Sequence, residues 1–314
     1  MGLLAAPAGA APPAKCKTIA ECSKALSADP NNPVMHLWMG DAYYNDKLTM
    51  FAGNEYKLAA DQGNIQAAAY YADLLKNNQT FLGTFQEAEK YASIAANGGN
   101  TLAMFMLGDL HYYTAYGMVN DSVAASWYAR ALLQPPDKDV PADSRTITAK
   151  NMGDIYMNSA SGMRNYTTAA AYLQMAVIGG DVWSMSELGS LYTNSQYGML
   201  NYQKGNPLLQ QAANGGDGWA MYNLGLSYCW GRGLAQNTAQ AQTLWNNARA
   251  KGRETNDDKL VSWANNNLSY IGQCGSSGNN GSAFTPTPPP NVNYQYDRGV
   301  QARDSINQQT YGHQ

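Results

Sequence analysis

Charge is scarce in this chain, because only 14% of its 314 residues are Asp, Glu, Lys or Arg, against roughly 25% in a typical soluble domain. The formal net charge is −3, and the Lys and Arg residues do not cluster, which argues against a nucleic-acid partner. No apolar run reaches the roughly 18 residues of a membrane span, so the sequence predicts no transmembrane segment. Hydrophobic residues still make up 45% of the chain, enough for a sizeable core.

Catalytic and metal-binding signatures are missing as well. The chain has three histidines, His36, His111 and His313. No Ser/His/Asp set, G-x-S-x-G, P-loop, H-E-x-x-H or EF-hand string accompanies them. We therefore predict a non-enzymatic protein without a metal or another cofactor, and a hydrolase is kept as the second alternative.

Four cysteines stand in two pairs near the ends of the chain: Cys16 with Cys22, and Cys229 with Cys274. None forms a C-x-x-C and no His lies near them, which argues against zinc. Disulfides at both ends would imply an oxidising compartment, and the alternative is four buried thiols. Cys16 and Cys22 are six residues apart, too far for a bridge inside one regular helix. Either the first helical turn is unwound there, or each cysteine pairs elsewhere.

The main positive signal is an internal repeat. Alanines that precede a small-residue turn recur at intervals of 36, 36, 45, 36 and 36 residues: Ala59, Ala95, Ala131, Ala176, Ala212 and Ala248. The longer interval holds nine extra residues within 134–145, where three prolines mark an insertion loop. Each repeat carries two apolar patterns of helical period, here called helix A and helix B. The sequence therefore predicts six stacked helix pairs.

Small residues recur at two kinds of position in the repeats. Each B helix is predicted to end at a glycine with left-handed backbone, followed by a residue that caps the next A helix. The predicted caps are Asn64, Asn100, Asp181 and Asp217. Other glycines lie inside the A helices, where they are expected to let helix A press closely on helix B: Gly108, Gly153, Gly189 and Gly225.

These patterns resemble the Sel-one-like repeat (SLR) family, a relative of the tetratricopeptide repeats (TPR). The resemblance is carried by L-G-x-x-Y at 188–192 and 224–228, by the A-A-x-x-G that ends helix B, and by W-G-R-G-L at 230–234. It implies an all-α fold, a right-handed superhelical α/α solenoid of about six SLR/TPR-like helix pairs with terminal capping helices. The second repeat departs from the pattern with Ala72 in place of Gly, and the third ends in Pro135.

The predicted organisation follows the repeats from one end to the other. Its segments are a disordered arm or signal-peptide remnant at 1–14, an N-terminal capping helix at 15–33, six helix-pair repeats at 34–252, a C-terminal capping helix at 253–274, and a disordered or extended tail rich in Gly, Pro, Asn and Gln at 275–314. Aligning 265–270 with 223–228 brings Cys274 near Cys229 on neighbouring helices. We therefore predict a disulfide between these two cysteines.

The A helices of stacked helix pairs line the concave face, where a partner binds. Counting helical turns from the small residue of each A helix predicts a row of groove carboxylates: Asp41, Asp73, Asp109 and Asp154. The same count predicts groove aromatic residues: Tyr44, Phe105, Tyr112, Trp183, Trp219 and Tyr222. The alternative for the carboxylates is a bond to the backbone or a neighbouring helix, and for the aromatic residues it is a place in the core between repeats.

A groove with an acidic N-terminal half and an aromatic C-terminal half suits a peptide with basic and apolar anchors. We therefore predict a protein-interaction scaffold. The resemblance implies an exported bacterial protein, periplasmic or extracellular, in an envelope, secretion or surface assembly. Aromatic side chains also stack on sugar rings, so a glycan- or peptidoglycan-binding solenoid is the first alternative.

Overall fold

A computed structural model describes residues 15–77, 83–159 and 162–275. Within these ranges the chain is all-α, without strands, as the sequence predicts. No helix in the same ranges is long and apolar enough to cross a membrane. The expectations for the N-terminal arm and for the tail beyond residue 275 lie outside the described residues.

Six helix pairs follow one another along the chain. The A helices are α2 (Pro33–Asn45), α4 (Ile65–Asn77), α6 (Thr101–Tyr112), α8 (Ser144–Asn158), α10 (Val182–Thr193) and α12 (Gly218–Trp230). The B helices are α3 (Thr49–Asp61), α5 (Phe85–Asn97), α7 (Asp121–Leu132), α9 (Tyr166–Ile178), α11 (Tyr202–Asn214) and α13 (Thr238–Glu254). Single helices close the two ends, α1 (Ile19–Ala28) on α2 and α14 (Asp258–Ser269) on α13.

The pairs stack in chain order. Each A helix packs against the B helix of its own repeat, and each B helix packs against the A helix of the next repeat. Contacts also join A helices of successive repeats, for example α4 with α6 and α10 with α12. The A helices therefore form the inner layer of a solenoid and the B helices its outer layer.

The turns between repeats follow the predicted chemistry. Gly63, Gly99, Gly180 and Gly216 have φ angles of 89°, 92°, 86° and 89°, in the left-handed region that glycine adopts without strain. The next residue caps the following A helix through its side-chain oxygen. Asn100 Oδ1, for instance, accepts from the backbone N–H of Ala103 at 2.9 Å. Only three residues thus separate one helix from the next, as between Asn97 and Thr101.

Inside each repeat, the predicted close approach of helix A to helix B is confirmed. A Cβ atom added at Gly108 would overlap the ring of Tyr128, and one added at Gly153 would lie 2.6 Å from Leu173 Cδ2. The A-helix glycines therefore make room for large side chains of the B helices. In the second repeat, where Ala72 replaces the glycine, the equivalent B-helix position is the small Ala92, and both are buried.

Both cysteine pairs form disulfides, and no free cysteine remains. Cys229 at the end of α12 is joined to Cys274, with a Cα–Cα distance of 4.7 Å, which is the predicted pairing. Cys16 is joined to Cys22 because α1 begins only at Ile19, so Cys16 precedes the helix. Of the two possibilities for the N-terminal pair, the structure thus has the unwound first turn.

Candidate functional site

The predicted groove residues lie on the A helices, but neighbouring helices enclose most of them. Asp73, Asp109 and Asp154 are only 2%, 7% and 2% exposed, whereas the side chain of Asp41 retains 14%. The aromatic residues divide in the same way, with Phe105, Tyr112, Trp219 and Tyr222 buried and Tyr44 and Trp183 half-buried. The inner layer is therefore packed along much of its length.

The carboxylate of Asp109 belongs to a buried polar cluster. It accepts hydrogen bonds from Lys76 Nζ at 2.7 Å and from the Tyr128 hydroxyl at 2.8 Å. Asp73 lies close by and accepts from Asn77 Nδ2 at 3.0 Å. Burial raises the pKa of Asp73 to about 7, and the Lys76 ammonium opposes that rise. The single buried ammonium thus pairs with Asp109, while Asp73 holds its proton to higher pH than an exposed carboxyl group does.

Asp154 is also engaged inside the solenoid. The Tyr112 hydroxyl of the preceding repeat donates to Asp154 Oδ2 at 2.9 Å, and Asn158 Nδ2 donates to Oδ1 at 2.8 Å. Asp73, Asp109 and Asp154 therefore all bond to protein side chains, and so does Asp41, which accepts from the Tyr56 hydroxyl at 3.1 Å. Asp109 and Asp154 join successive repeats, whereas Asp73 bonds within its own helix, and all three are buried.

The aromatic residues of the last repeat pack against the C-terminal cap. Trp219 is 9% exposed, and its indole N–H donates to Asp257 Oδ2 at 2.8 Å. The ring of Trp263 on α14 lies 5.6 Å from Trp219 and 5.9 Å from Tyr222, between ring centroids. A sugar ring would need an open aromatic face, so this cluster gives the glycan alternative little support.

The A helices of the second and third repeats are buried along most of their length, and the insertion loop contacts the second repeat. Every residue from Ala67 to Lys76 and from Thr101 to Leu110 is buried. Val140 of the loop packs against the apolar cluster of these repeats, and Gln66 Nε2 donates to Asp139 Oδ2 at 3.4 Å. The expected open groove is therefore closed along these two helices, with the insertion loop lying against the second repeat.

A pocket of about 540 Å³ opens beside this covered stretch, at the N-terminal end of the inner layer. Four segments line it: residues 15–17 before α1, helices α2 and α4, and residues 138–139 of the insertion loop. Asp41 is the predicted groove residue that lies in its wall. Its volume is within the roughly 300–1,000 Å³ range of ligand-binding clefts.

Charged groups of both signs face each other across the pocket. Lys15 Nζ lies 3.0 Å from Asp41 Oδ2, and the Tyr56 hydroxyl donates to Asp41 Oδ1 at 3.1 Å. On the insertion loop, Lys138 Nζ lies 3.0 Å from Asp139 Oδ1. Both carboxylates thus already accept hydrogen bonds from the protein, whereas the two ammonium groups are largely exposed.

The floor of the pocket is apolar and aromatic. Leu37 and Trp38 of α2 and Tyr70 of α4 line it. Burial raises the pKa of Tyr70 to about 12, and the nearby carboxylate of Asp139 adds to the rise. The phenol therefore stays neutral, as a hydrogen-bonding group at the base of a charged rim.

Sequence reasoning did not identify Lys15, Trp38, Tyr70 or Lys138 as site residues. The available signals were the nine extra residues of the longer interval and the cysteine pair before the first repeat. Each marks a segment outside the repeat pattern. Only the curvature of the solenoid brings the two segments together, over 120 residues apart in the chain.

The described histidines are structural links. His36 Nδ1 lies 2.6 Å from Glu55 Oε2, and its Nε2 lies 2.9 Å from the carbonyl oxygen of Pro30. His111 is held in the same way between Glu89 and a backbone carbonyl. Neither histidine lines the pocket. Within the described ranges, no three His, Cys, Asp or Glu side chains gather to hold a metal ion.

Comparison with solved structures identifies the fold. No protein-family model matches the chain, and no curated protein matches it either. A protective antigen of uropathogenic Escherichia coli strains that displays an SLR fold is 18% identical, with a TM-score of 0.53 over 82% of this chain and 57% of the antigen. A Sel1 repeat protein from Oxalobacter formigenes is 22% identical, with a TM-score of 0.45 over 74% of this chain and 99% of that one. The chain has the SLR fold that its sequence predicts.

Proposed function

We propose that this protein is a non-enzymatic scaffold that binds a protein partner at the N-terminal end of its inner face, in a bacterial envelope, secretion or surface assembly. Stacked helix pairs of this kind present extended binding surfaces. The observation that carries the proposal is the open pocket, in which the inner layer is accessible and charged and aromatic side chains converge.

The position of the pocket refines the predicted binding mode. A partner lying along the whole groove would need the inner faces of α4 and α6, and these are buried. At the first repeat, in contrast, Asp41 and Tyr44 remain partly accessible, and Asn45 is exposed at the rim. We therefore place the partner contact on α2 and the segments around it.

Two disulfides support the proposed location. All four cysteines are paired, and structural disulfides persist in secreted and periplasmic proteins and are rare in the cytosol. This chemistry supports the proposed envelope or extracellular position. The proposed position also agrees with the small formal net charge of −3 and the low content of charged residues.

Site-specific photo-crosslinking in native cells tests the proposal. A photoreactive amino acid replaces Asn45 at the pocket rim, and a matched variant carries it at the exposed Gln211 on the outer helix α11. We expect a discrete protein adduct from position 45 that position 211 does not give. Equal adducts at both positions, or none at position 45, would contradict a partner site at this end.

A further inference from the structure

The pocket is built by the two parts of the chain that depart from the repeat. One is the strap, residues 15–17, which the Cys16–Cys22 disulfide ties to α1. The other is the insertion loop, which reaches α4 through Asp139. A regular solenoid of identical repeats would have neither wall. Two independent additions that converge on one cavity indicate a dedicated binding site.

We propose that this pocket binds an acidic segment of a partner peptide, an inference that rests on the proposed function. The lining contains three lysines, Lys15, Lys17 and Lys138, and two aspartates, Asp41 and Asp139. Its net charge is therefore positive on a chain whose formal net charge is −3. The complementary ligand carries carboxylates.

The accessible hydrogen-bonding groups of the rim also favour a negatively charged ligand. Asp41 already accepts from Lys15 and Tyr56, and Asp139 accepts from Lys138 and Gln66. An ammonium group carries three donors, and the side chains of Lys15 and Lys138 are 52% and 80% exposed. The side chains of Asp41 and Asp139 are only 14% and 17% exposed, so a ligand reaches the lysine donors more readily than the carboxylate acceptors, which favours a carboxylate ligand over an ammonium.

The floor adds a second requirement. Leu37, Trp38 and Tyr70 present apolar surface below the charged rim. An apolar or aromatic residue next to the acidic one would bury surface on this floor while its neighbour meets the lysines. The preferred ligand is thus a short segment in which acidic and apolar residues alternate, and not a purely polar anion.

Fluorescence anisotropy with three labelled peptides of equal length tests the ligand class. The peptides share Leu and Trp and carry Glu, Gln or Lys at the remaining positions. We expect the Glu peptide to bind about tenfold more tightly than the Gln peptide, with an affinity that falls as salt is added, and the Lys peptide to bind weakest. Equal affinities for all three, or preference for the Lys peptide, would overturn the proposal.

Charge neutralisation locates the binding. Lys15→Gln with Lys138→Gln is expected to lower the affinity for the Glu peptide about tenfold. Lys204→Gln with Lys259→Gln removes the same charge from exposed lysines of the C-terminal half and is expected to leave it unchanged. Equal losses in both double variants would show a nonspecific charge effect and contradict the pocket as the site.

The Cys16–Cys22 disulfide allows a further test of the same proposal. Cys16→Ser with Cys22→Ser frees the strap, so we expect weaker Glu-peptide binding at unchanged helix content. If the Glu peptide does not bind while a photoreactive residue at position 45 still crosslinks a partner, the acidic ligand class is wrong and the scaffold function stands. If both fail, both proposals fall.

Discussion

The N-terminal and C-terminal parts of the solenoid, which meet in the fourth repeat, have differently divided cores. In the N-terminal part, one large apolar cluster runs from Ala52 to Ile155, beside a small one around the Cys16–Cys22 disulfide. Tyrosine rings meet edge to face within its repeats, as Tyr71 with Tyr91, and between the first and second repeats, as Tyr56 with Tyr70. From the fourth repeat onward the core divides into three smaller clusters.

Buried polar side chains lie on the A helices of the C-terminal part as well as in the N-terminal part. Ser186, Glu187, Ser190 and Asn223 are all buried on the A helices, and Asn223 Nδ2 donates to Ser190 Oγ at 2.8 Å. In a solenoid, stability is a sum of repeat and neighbour terms. Because one large apolar cluster joins the N-terminal repeats, we expect them to unfold as one unit. We expect the C-terminal repeats, whose core is divided, to depend more on their cap.

The largest effect is expected in the N-terminal polar cluster. Lys76→Met removes the ammonium that is 2.7 Å from Asp109 and leaves that carboxylate buried without its cation. Breaking a buried pair in this way costs about 3–5 kcal/mol. Urea denaturation at neutral pH measures it, and Lys57→Met, in the exposed pair with Asp61, is the control with an expected loss below about 1 kcal/mol. Similar losses in the two variants would contradict the importance of burial.

The next largest effect concerns the C-terminal cap. Cys229→Ser with Cys274→Ser opens a cross-link with a sequence separation of 45 residues, which should cost about 4 kcal/mol. The cross-link between Cys16 and Cys22 spans only six residues and should contribute about 2 kcal/mol. Thermal unfolding of the two double variants checks the order. A greater loss from the N-terminal pair would refute the dependence of the C-terminal part on its cap.

A third prediction compares two equivalent glycines. Gly108→Ala forces a Cβ atom into the ring of Tyr128, which hydrogen bonds hold in place, and should cost about 1–3 kcal/mol. Gly153→Ala meets Cδ2 and Cγ of Leu173, a side chain that no hydrogen bond holds in place, so we expect a smaller change. Chemical denaturation measures the free energy of unfolding of both variants. Equal losses of stability would contradict the proposed difference in packing.

The smallest effect depends on pH. Burial raises the pKa of Glu187 well above its usual value, so between pH 4.5 and the raised pKa the unfolded chain releases a proton that the folded chain keeps. Stability contributed by the neutral acid is therefore present at low pH and declines as the pH rises. Glu187→Gln should gain stability relative to the wild type between pH 5 and pH 8, measured by thermal unfolding.

Glu254→Gln is the matched control for this prediction, because the Glu254 side chain is 68% exposed. Its difference from the wild type should stay nearly constant over the same pH range. The prediction fails if the Glu187→Gln difference is equally flat.

Much of the fold could be predicted from local chemistry. The glycine turns, the side-chain caps such as Asn100, and the packing glycines such as Gly108 repeat in the sequence and adopt the expected geometry. The Cys229–Cys274 pairing followed from aligning two repeats. Each of these features depends on residues in the same or the adjacent helix, which a periodic sequence specifies well.

The site was harder to predict, because it depends on curvature. Helical counting placed Asp73, Asp109 and Asp154 on the inner side of their helices, but it could not show how closely successive A helices approach one another. Nor could it show that nine extra residues between the third and fourth repeats reach back to α4. The lysines of the pocket come from those irregular segments, for which the repeat gives no register.

Oxidation of methionines by hydroxyl radicals in the native protein, followed by mass spectrometry, tests whether the inner layer is closed. Met104 and Met106 on α6 are 3% and 1% exposed, whereas Met50 and Met175 are 51% and 42% exposed. A filled inner face predicts that Met50 and Met175 are oxidised rapidly while Met104 and Met106 stay protected. Oxidation of Met104 and Met106 at the rate of Met50 would show an open groove through the middle repeats and contradict a binding site confined to the N-terminal pocket.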